Sequence, residues 1–360
     1  MRAFIPLALG LSAREWQIRH SNNEVPDATP YGLHKMECHG VVPEFSERNF
    51  SRPIDLLARV ARRSSSGLDL VEAVSDIRYK RRGQFDVVLC YNERTGFPAI
   101  LFRSPKALPV VTGVGWLAER ATTPHVLRQA AELAFPRAAA VTAQSSSMLD
   151  NLRTDWGVPA DRLNLIPFGI DTDFYEVQPP PETSGVVVSA GVDFLRDHKL
   201  LFEAVSKVKE SNREVWLELA AGYAAGLKAK AELAPELGCV YTEQLNGRMR
   251  DLYRRASVVA VAVRPTIAPS GLTVVLEGMA SGRPVVASGN PTLAEYVIDG
   301  VTGILVPPGD VDAMAKAIAD LLNDPDRAAE MGKAGALDVR RRFTSGIMAQ
   351  HLAEIALSVA

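Results

Sequence analysis

The residues at positions 269–290 carry the pattern that most strongly suggests chemistry. A tight Ser270-Gly271 turn runs into an amphipathic helix with a single carboxylate, Glu277. The first N–H groups of a helix lack an intrahelical partner and, with the helix dipole, favour a phosphate at that end. Two turns further along, a carboxylate can accept hydrogen bonds from the hydroxyl pair of a ribose. The spacing indicates a nucleotide site, and the alternative is a plain turn followed by a solvated glutamate.

A second group of candidate residues follows the strand predicted over residues 185–191. That strand ends at Gly191, and the loop after it contains Arg196 and Lys199. Ligands of open parallel sheets bind outside the carboxyl ends of the strands, which is where this loop must lie. Fixed cations at such a place can stabilise the charge of a departing diphosphate without a metal. The alternative is an arginine at a helix N-terminus that pairs with Asp197.

Beyond about Asp86, the chain resembles a known family in several separated motifs. Residues 269–290 resemble the donor-binding signature of the retaining GT-B glycosyltransferases, in particular the sucrose-synthase-like and mannosyltransferase-like glycosyl transferases group 1. The residues that match this signature are Gly271, Leu272, Glu277, Met279, Ala280, Gly282, Pro284, Val285 and Val286. Residues 157–175 and 295–325 are also similar to family segments. The resemblance implies an α/β GT-B architecture of two Rossmann-like domains whose parallel sheets face each other across a cleft.

The resemblance also implies an activity and the residues that serve it. The expected reaction is transfer of a sugar from a UDP-, GDP- or ADP-linked donor to an unknown acceptor, with retained anomeric configuration, no metal and no further cofactor. Arg196 would replace the family's lysine as the cation on the leaving phosphates, with Lys199 as its helper. Residues 241–245 resemble the segment that frames the base. The implied donor-binding residues are Gly191, Gln244, Leu245, Ser270, Gly271, Leu272, Thr273 and Glu277.

Two departures from the family pattern keep other functions open. Pro269 stands where the family has a first glutamate near the donor sugar, and Gly115 stands where members often have a histidine. His125, slightly downstream, is a substitute for that histidine or a structural residue. The alternatives are a non-catalytic GT-B protein that binds nucleotide or glycan, and a sugar-nucleotide epimerase of the same fold.

The acceptor in this architecture approaches the strand tips of the N-terminal domain. The residues nominated there are Asp27, Tyr31, Glu93 and Gly115. The acceptor would be a glycan, a lipid-linked compound or a small molecule. Asp171 and Asp173 resemble the metal-binding motif of a different glycosyltransferase fold, but they lie in a segment typical of the crossing between GT-B domains.

Alternating apolar strands and helical patterns predict parallel sheets with helices on both faces. We predict an N-terminal domain over residues 1–172, a C-terminal domain over 173–343 and a last helix over 344–360 that returns to the first domain. The apolar run after Arg2 reads as a first strand rather than a signal peptide. Residues 12–29 form a polar stretch too long for a plain connection, and a helix is predicted to begin at Pro30.

Composition excludes several other classes of protein. The chain has 360 residues, of which 47% are hydrophobic and 23% charged, so it can build two cores. Its net charge of −2 does not indicate nucleic acid as a partner. The three cysteines and six histidines are scattered, which argues against disulfides and zinc and favours a reducing compartment. We therefore expect a cytoplasmic protein. The basic clusters at residues 59–63 and 78–82 are solvated helix faces or sites of peripheral contact with anionic lipid at the inner face of the membrane.

Overall fold

The protein is described by a computed structural model that covers residues 1–48, 50–76, 84–102, 108–117, 119–181, 185–243 and 245–360. Gln244 and the basic cluster at 78–82 lie outside these residues. The chain forms two compact units. The first comprises Met1–Asn22, Asp27–Gly169 and Ser345–Ala360, and the second comprises Asn23–Pro26 and Ile170–Thr344.

The first unit is built on a six-stranded sheet among its described residues, and every pairing in it is parallel. The strands are β1 Arg2–Ile5, β2 Val42–Phe45, β3 Val87–Cys90, β4 Val110–Val114, β5 Ala140–Ala143 and β6 Leu163–Leu165, in the spatial order β2-β1-β3-β4-β5-β6. The central strands β3, β4 and β5 are buried along their whole length, because helices cover both faces of a parallel sheet. The sequence predicts these strands through their uninterrupted β-branched and small apolar residues.

The helices of the first unit include one in the polar stretch at 12–29, where the sequence analysis predicted no helix. They are α1 Ala13–Ser21, α2 Arg52–Ser64, α3 Leu70–Ser75, α4 Glu93–Leu101, α5 His125–Ala134 and α6 Ser146–Thr154. The polar stretch at 12–29 contains α1, whose first turn is capped by the Ser12 side chain. Its residues are mostly exposed, so no apolar periodicity indicated a helix. Helix α2 contains the basic cluster at 59–63, for which the sequence analysis left open a solvated helix face or a site of contact with anionic lipid.

The helix predicted to begin at Pro30 is a 3₁₀ helix, Pro30–His39, and its start is irregular. Tyr31 and Gly32 have φ angles of 59° and 67°, which lie in the left-handed region. A side chain on Gly32 would meet the carboxylate of Asp27, whose Oδ2 lies 2.8 Å from the Cβ position. The tight approach of Asp27 therefore requires glycine here.

The second unit has its own six-stranded parallel sheet among the described residues. Its strands are β7 Val186–Ala190, β8 Trp216–Ala220, β9 Gly238–Tyr241, β10 Val258–Val261, β11 Val285–Ser288 and β12 Ile304–Val306, in the order β12-β11-β10-β7-β8-β9. The helices are α7 His198–Ser211, α8 Tyr223–Glu232, α9 Met249–Arg255, α10 Leu272–Ala280, α11 Val311–Asn323 and α12 Pro325–Arg342. The loops after β7, β10 and β11 meet at one edge of the sheet, because those strands are parallel neighbours.

The last helix, α13 Ser345–Val359, belongs to the first unit and packs on the segment Pro30–His39. Met348 and Leu352 of this helix join the same core cluster as Ile5, Leu33 and Val87. Within the described ranges, no helix has both the length and the apolar character that a bilayer-spanning segment needs.

Candidate active site

The loop after β7 brings Arg196 back against Gly191, the residue at which the strand ends. Gly191 has a φ angle of 150°, and a Cβ added to it would lie 2.1 Å from Nε of Arg196. Such a distance is incompatible with any side chain, so glycine is required for the guanidinium to pass. The strand end and the arginine thus form one unit of structure.

The same guanidinium also lies against Gly271, which belongs to the loop between β10 and α10. A Cβ on Gly271 would lie 2.4 Å from Nη1 of Arg196, and the φ angle of Gly271 is 82°. Arg196 therefore fills the space between two glycines from separate loops. The structure brings together Gly191, Arg196 and Gly271, which the sequence analysis nominated as parts of one site.

Backbone and side-chain hydrogen bonds hold this loop in place. Asp197 N donates to the Ala262 carbonyl at 3.0 Å, and Arg196 pairs with Val263 through an isolated antiparallel bridge. The Asp193 carboxylate accepts from Ser270 Oγ at 2.7 Å and from Leu195 N at 3.1 Å. Ser270 is buried, and its hydroxyl is thus used to join the loop after β7 to the turn before α10.

Arg196 is the most unusual charge of the site. It is 5% exposed, yet its two terminal nitrogens, Nη1 and Nη2, make no hydrogen bond with any described residue. Burial lowers the pKa of Arg196, and nearby Asp193 opposes that shift. A buried cation with unpaired donors is costly, and a bound anion that accepts from those donors removes the cost. The planar fork of a guanidinium matches the oxygens of a phosphate.

Helix α10 adds main-chain donors to the same place. It begins at Leu272 after Gly271, and no side chain caps its first turn, because the residue at the cap position is glycine. The Leu272 N–H donates to the Pro269 carbonyl at 3.2 Å. The N–H groups of the next residues in the first turn and the positive end of the helix dipole favour an anion next to Gly271. Of the remaining nominated residues here, Leu272 is buried in the core and Thr273 is exposed.

Glu277 lies further along α10 and has two tyrosine neighbours. The Tyr253 hydroxyl donates to Oε2 of Glu277 at 2.7 Å, and Tyr175 also hydrogen-bonds this carboxylate. Burial raises the pKa of Glu277 to about 7, and the two phenols work against that rise. The carboxyl group therefore changes its charge near neutral pH.

Tyr253 connects the two ends of the site electrostatically. Burial raises its pKa well above the usual value, Glu277 adds to this rise, and Arg196 opposes it. The ring of Tyr175 lies 6.1 Å from that of Tyr253 in an edge-to-face arrangement. The sequence analysis missed both tyrosines. Tyr175 lies at the end of the crossing segment and Tyr253 lies in α9, so no local pattern in the sequence indicates that they share a carboxylate.

Lys199 is the second cation that the sequence analysis nominated for the leaving phosphates. Its side chain is 82% exposed, and its ammonium group lies 3.7 Å from Oε1 of Glu203 in the next turn of α7. Leu245 is buried at the end of the segment nominated to frame the base, whereas Gln244 lies outside the described residues. Asp171 accepts from the N–H groups of Asp173 and Phe174, which makes it the centre of a turn.

The loop after β11 supplies a further polar group at this edge of the sheet. Ser288 Oγ accepts from Val263 N at 3.0 Å, which ties the loop to the one after β10. Asn290 is 1% exposed, and its Oδ1 accepts from Leu293 N at 2.8 Å. Its Nδ2 makes no hydrogen bond within the described part of the chain, so a second buried donor remains available for a ligand.

The residues nominated for the acceptor form two local groups in the first unit. Glu93 is buried, and its carboxylate accepts from the N–H groups of Gly115 at 2.8 Å and Trp116 at 2.7 Å. Burial raises the pKa of Glu93, and these backbone hydrogen bonds oppose the rise. The carboxylate thus fixes the loop after β4. His125, the first residue of α5, is exposed.

The second local group contains Asp27 and Tyr31. Asp27 is buried, pairs with Lys35 at 2.5 Å and accepts from Ser345 Oγ at 3.1 Å. Tyr31 stacks on Tyr91 with the ring centroids 3.6 Å apart, and burial raises its pKa. Both side chains therefore already have partners within the first unit.

Comparison with known proteins gives this geometry a context. The family model "Glycosyl transferases group 1" matches residues 185–324, and "Glycosyltransferase Family 4" matches residues 33–174. A D-inositol 3-phosphate glycosyltransferase of Xylanimonas cellulosilytica is 31% identical over 225 residues, which are 57% of this chain and 53% of the relative. An alpha-maltose-1-phosphate synthase of Mycolicibacterium smegmatis is 32% identical over 256 residues, 63% of this chain and 64% of the relative. The chain thus covers between half and two-thirds of their lengths.

Solved structures support the fold. Sucrose-phosphate synthase from Thermosynechococcus elongatus superposes with a TM-score of 0.73 at 18% identity, over 99% of this chain and 98% of that one. Anabaena HepE in complex with UDP and glucose gives a TM-score of 0.70 at 18% identity, over 99% of both chains. The prediction of an α/β fold with two Rossmann-like domains is confirmed. Family models of glycosyltransferases thus match most of each unit, and with these structures they support membership of a GT-B glycosyltransferase family.

Proposed function

We propose that this protein transfers a sugar from a nucleotide-sugar donor to an acceptor, with retention of anomeric configuration and without a metal. The observation that carries the proposal is Arg196, a buried guanidinium with two unpaired nitrogens between Gly191 and Gly271. That arrangement fits a diphosphate better than a neutral ligand, since an anion accepts from the unpaired nitrogens and offsets the buried charge. Asp193 also opposes the effect of burial on the pKa of Arg196, but less strongly. The relatives named as glycosyltransferases support the same reaction class.

Each donor-side residue has a defined role in this proposal. Arg196 and the first N–H groups of α10 bind the diphosphate and stabilise the negative charge that grows as the bond from the sugar carbon to the phosphate oxygen breaks. Glu277, as a carboxylate, accepts from the ribose hydroxyls. Asp193 and Ser270 hold the loop that carries Arg196. The proton of the attacking acceptor hydroxyl passes to an oxygen of the departing phosphate, so the protein itself need not supply a base.

A second candidate function is binding of the nucleotide without turnover. It is favoured by the exposure of Lys199, whose ammonium group lies near Glu203, and by Pro269 at the place of a family glutamate. Both functions predict nucleotide binding, so only a chemical assay separates them.

The proposal is tested in two steps on the purified protein. A thermal-shift screen with UDP, GDP, ADP and their sugar conjugates identifies the base, because a ligand that binds the native state raises the melting temperature. Slow hydrolysis of the matching sugar nucleotide then reports on bond cleavage. We expect Arg196→Ala to lower this rate roughly 100-fold or more. Arg213→Ala is the matched control, because Arg213 is exposed in the turn between α7 and β8, at the opposite end of the sheet.

Three results would count against the proposed function. No thermal shift with any of the nucleotides would remove the binding site itself. Binding without hydrolysis or transfer would favour the non-catalytic function. A sugar whose configuration changes while it stays attached to its nucleotide would indicate an epimerase.

A further inference from the structure

Helix α2, Arg52–Ser64, is almost entirely exposed although it is rich in apolar residues. Ala58 is its buried residue, and the helix otherwise rests on the protein through a narrow face. The exposed fractions of Leu56, Leu57 and Val60 are 64%, 58% and 55%. An amphipathic helix of a globular protein normally turns such residues toward the core.

The apolar side chains of α2 share one solvent-facing side. At about 100° per residue, Leu56, Val60 and Leu57 fall within an arc of roughly 100°, and Ala58 lies beyond it toward the protein. Ile54, 43% exposed, extends the apolar surface at the margin between this arc and the protein-facing side. The result is a continuous apolar strip along the outer side of the helix.

Cations border the strip. The helix contains four arginines and one acidic residue, Asp55, which is paired with Arg59 at 2.8 Å. Arg62 turns toward Asp69 at 3.9 Å. Arg52 and Arg63 form no ion pair with any residue that the structure describes, and both are exposed. By helical position these two arginines lie at the edge of the apolar arc, next to Leu56.

We propose that α2 docks the protein on an anionic membrane surface, which goes beyond the proposed sugar transfer. Leu56, Leu57 and Val60 enter the boundary between headgroups and acyl chains, and Arg52 and Arg63 contact lipid phosphates. An exposed apolar strip bordered by unpaired cations has the composition of interfacial helices, for which apolar burial and attraction to anionic lipid act together. The charge of the helix is what selects an anionic bilayer over a neutral one.

The test is flotation of the whole protein with lipid vesicles. Vesicles of phosphatidylcholine alone are compared with vesicles that contain about 40% phosphatidylglycerol, at low and high salt. We expect the wild type to float with the anionic vesicles and to be released by salt. Leu56→Gln/Leu57→Gln should lower the partition coefficient roughly ten-fold or more, since apolar burial drives insertion. Arg52→Gln/Arg63→Gln should weaken binding and reduce its salt dependence.

Leu133→Gln is the matched control. Leu133 is 55% exposed on α5 of the same unit and should float like the wild type. All variants replace exposed side chains, so unchanged melting temperatures establish that each is folded. Nucleotide binding and donor hydrolysis without vesicles should also stay unchanged, which separates this inference from the proposed function.

The proposal is overturned if the wild type stays unbound with anionic vesicles, or if Leu56→Gln/Leu57→Gln floats as well as the wild type. It is also overturned if the strip instead joins two copies of the chain. That outcome appears as a concentration-dependent increase in mass without lipid, which the Leu56→Gln/Leu57→Gln variant abolishes.

Discussion

The guanidinium of Arg196 occupies the space that a side chain on Gly271 would need, since a Cβ there would lie 2.4 Å from Nη1. Glycine at 271 and arginine at 196 therefore depend on each other, although they are far apart in the sequence. A change at either position is expected to act on the other.

Gly271→Ala should therefore abolish nucleotide binding and destabilise the fold. The left-handed backbone alone costs a non-glycine residue about 1–2 kcal/mol, and the contacts of the new Cβ with Arg196 Nη1 and Val261 Cγ1, each at 2.4 Å, add to this cost. Gly309→Ala is the control, because Gly309 has a φ angle of 86° with nothing near its Cβ position. Thermal melts and calorimetric titration separate the two effects. If Gly271→Ala and Gly309→Ala lose the same stability and the same nucleotide affinity, the contact with Arg196 does not contribute to either effect.

Arg196→Met should stabilise the unliganded protein while removing its affinity for nucleotides. An unpaired buried cation destabilises the native state, and an apolar side chain of similar length avoids that penalty, by about 1–3 kcal/mol. Arg283→Met should instead destabilise the protein. The Arg283 guanidinium donates to the carbonyls of Tyr253, Pro179 and Arg254, so its loss leaves three acceptors unpaired and costs about 2–4 kcal/mol. Chemical denaturation in phosphate-free buffer measures both. A lower stability of Arg196→Met would contradict the idea of an uncompensated charge.

Binding of a sugar nucleotide should strengthen as the pH rises from about 6 to 8. The pKa of Glu277 is raised to about 7, so the group is largely protonated at the lower pH and accepts poorly from ribose hydroxyls. The diphosphate of a sugar nucleotide is a diester and does not titrate in this range. Isothermal titration calorimetry should give a pH-independent affinity for Glu277→Gln. If the affinity of Glu277→Gln changes with pH as steeply as that of the wild type, the pH effect belongs to another group.

The same pKa shift has the opposite effect on folding. The folded protein holds a proton on Glu277 up to a higher pH than the unfolded chain, so it binds more protons between the usual glutamate pKa and about 7. The contribution of this group to stability therefore falls as the pH rises through that window. Urea denaturation at a series of pH values measures the free energy of unfolding. This free energy should decline less with rising pH in Glu277→Gln than in the wild type.

Tyr253→Phe should shift the midpoint of the pH-dependent binding upward. The phenol donates to Oε2 of Glu277 and holds its pKa down, so its removal raises the pKa further. The ring remains in the variant, which preserves packing. An unchanged midpoint would mean that the hydrogen bond does not control the charge of Glu277.

Glu93→Ala should separate donor chemistry from transfer. The carboxylate accepts from Gly115 and Trp116, and its loss leaves two backbone donors unpaired, at a cost of about 1–3 kcal/mol. We expect hydrolysis of the sugar nucleotide to persist, while transfer to an acceptor falls once the loop after β4 is no longer held. A parallel loss of both activities at full folding would place Glu93 in donor chemistry instead.

The sequence predicts contacts that follow from the order of the strands, but it does not predict individual hydrogen bonds between residues that are distant in the chain. The meeting of Gly191, Arg196 and Gly271 could be predicted, because parallel strands deliver the loops at their carboxyl ends to one edge of the sheet. The shared hydrogen bonds of Tyr175 and Tyr253 to Glu277 could not, since no local pattern relates residues from the crossing segment, α9 and α10. Helix α1 was missed for a different reason. None of its residues is buried, so burial left little apolar periodicity in its sequence. The exposure of Lys199 depends on side-chain direction around α7, which spacing from Gly191 does not determine.

The loop that bears Arg196 is already fixed by Asp193, Ser270 and the backbone of Ala262. Little conformational entropy then remains to be lost when an anion binds. Binding should therefore have a favourable enthalpy, and small ligands should bind with a high affinity for their size. Compact bisphosphonate fragments are for that reason a practical starting point for inhibitors, with a high affinity for each heavy atom before any base or sugar group is added.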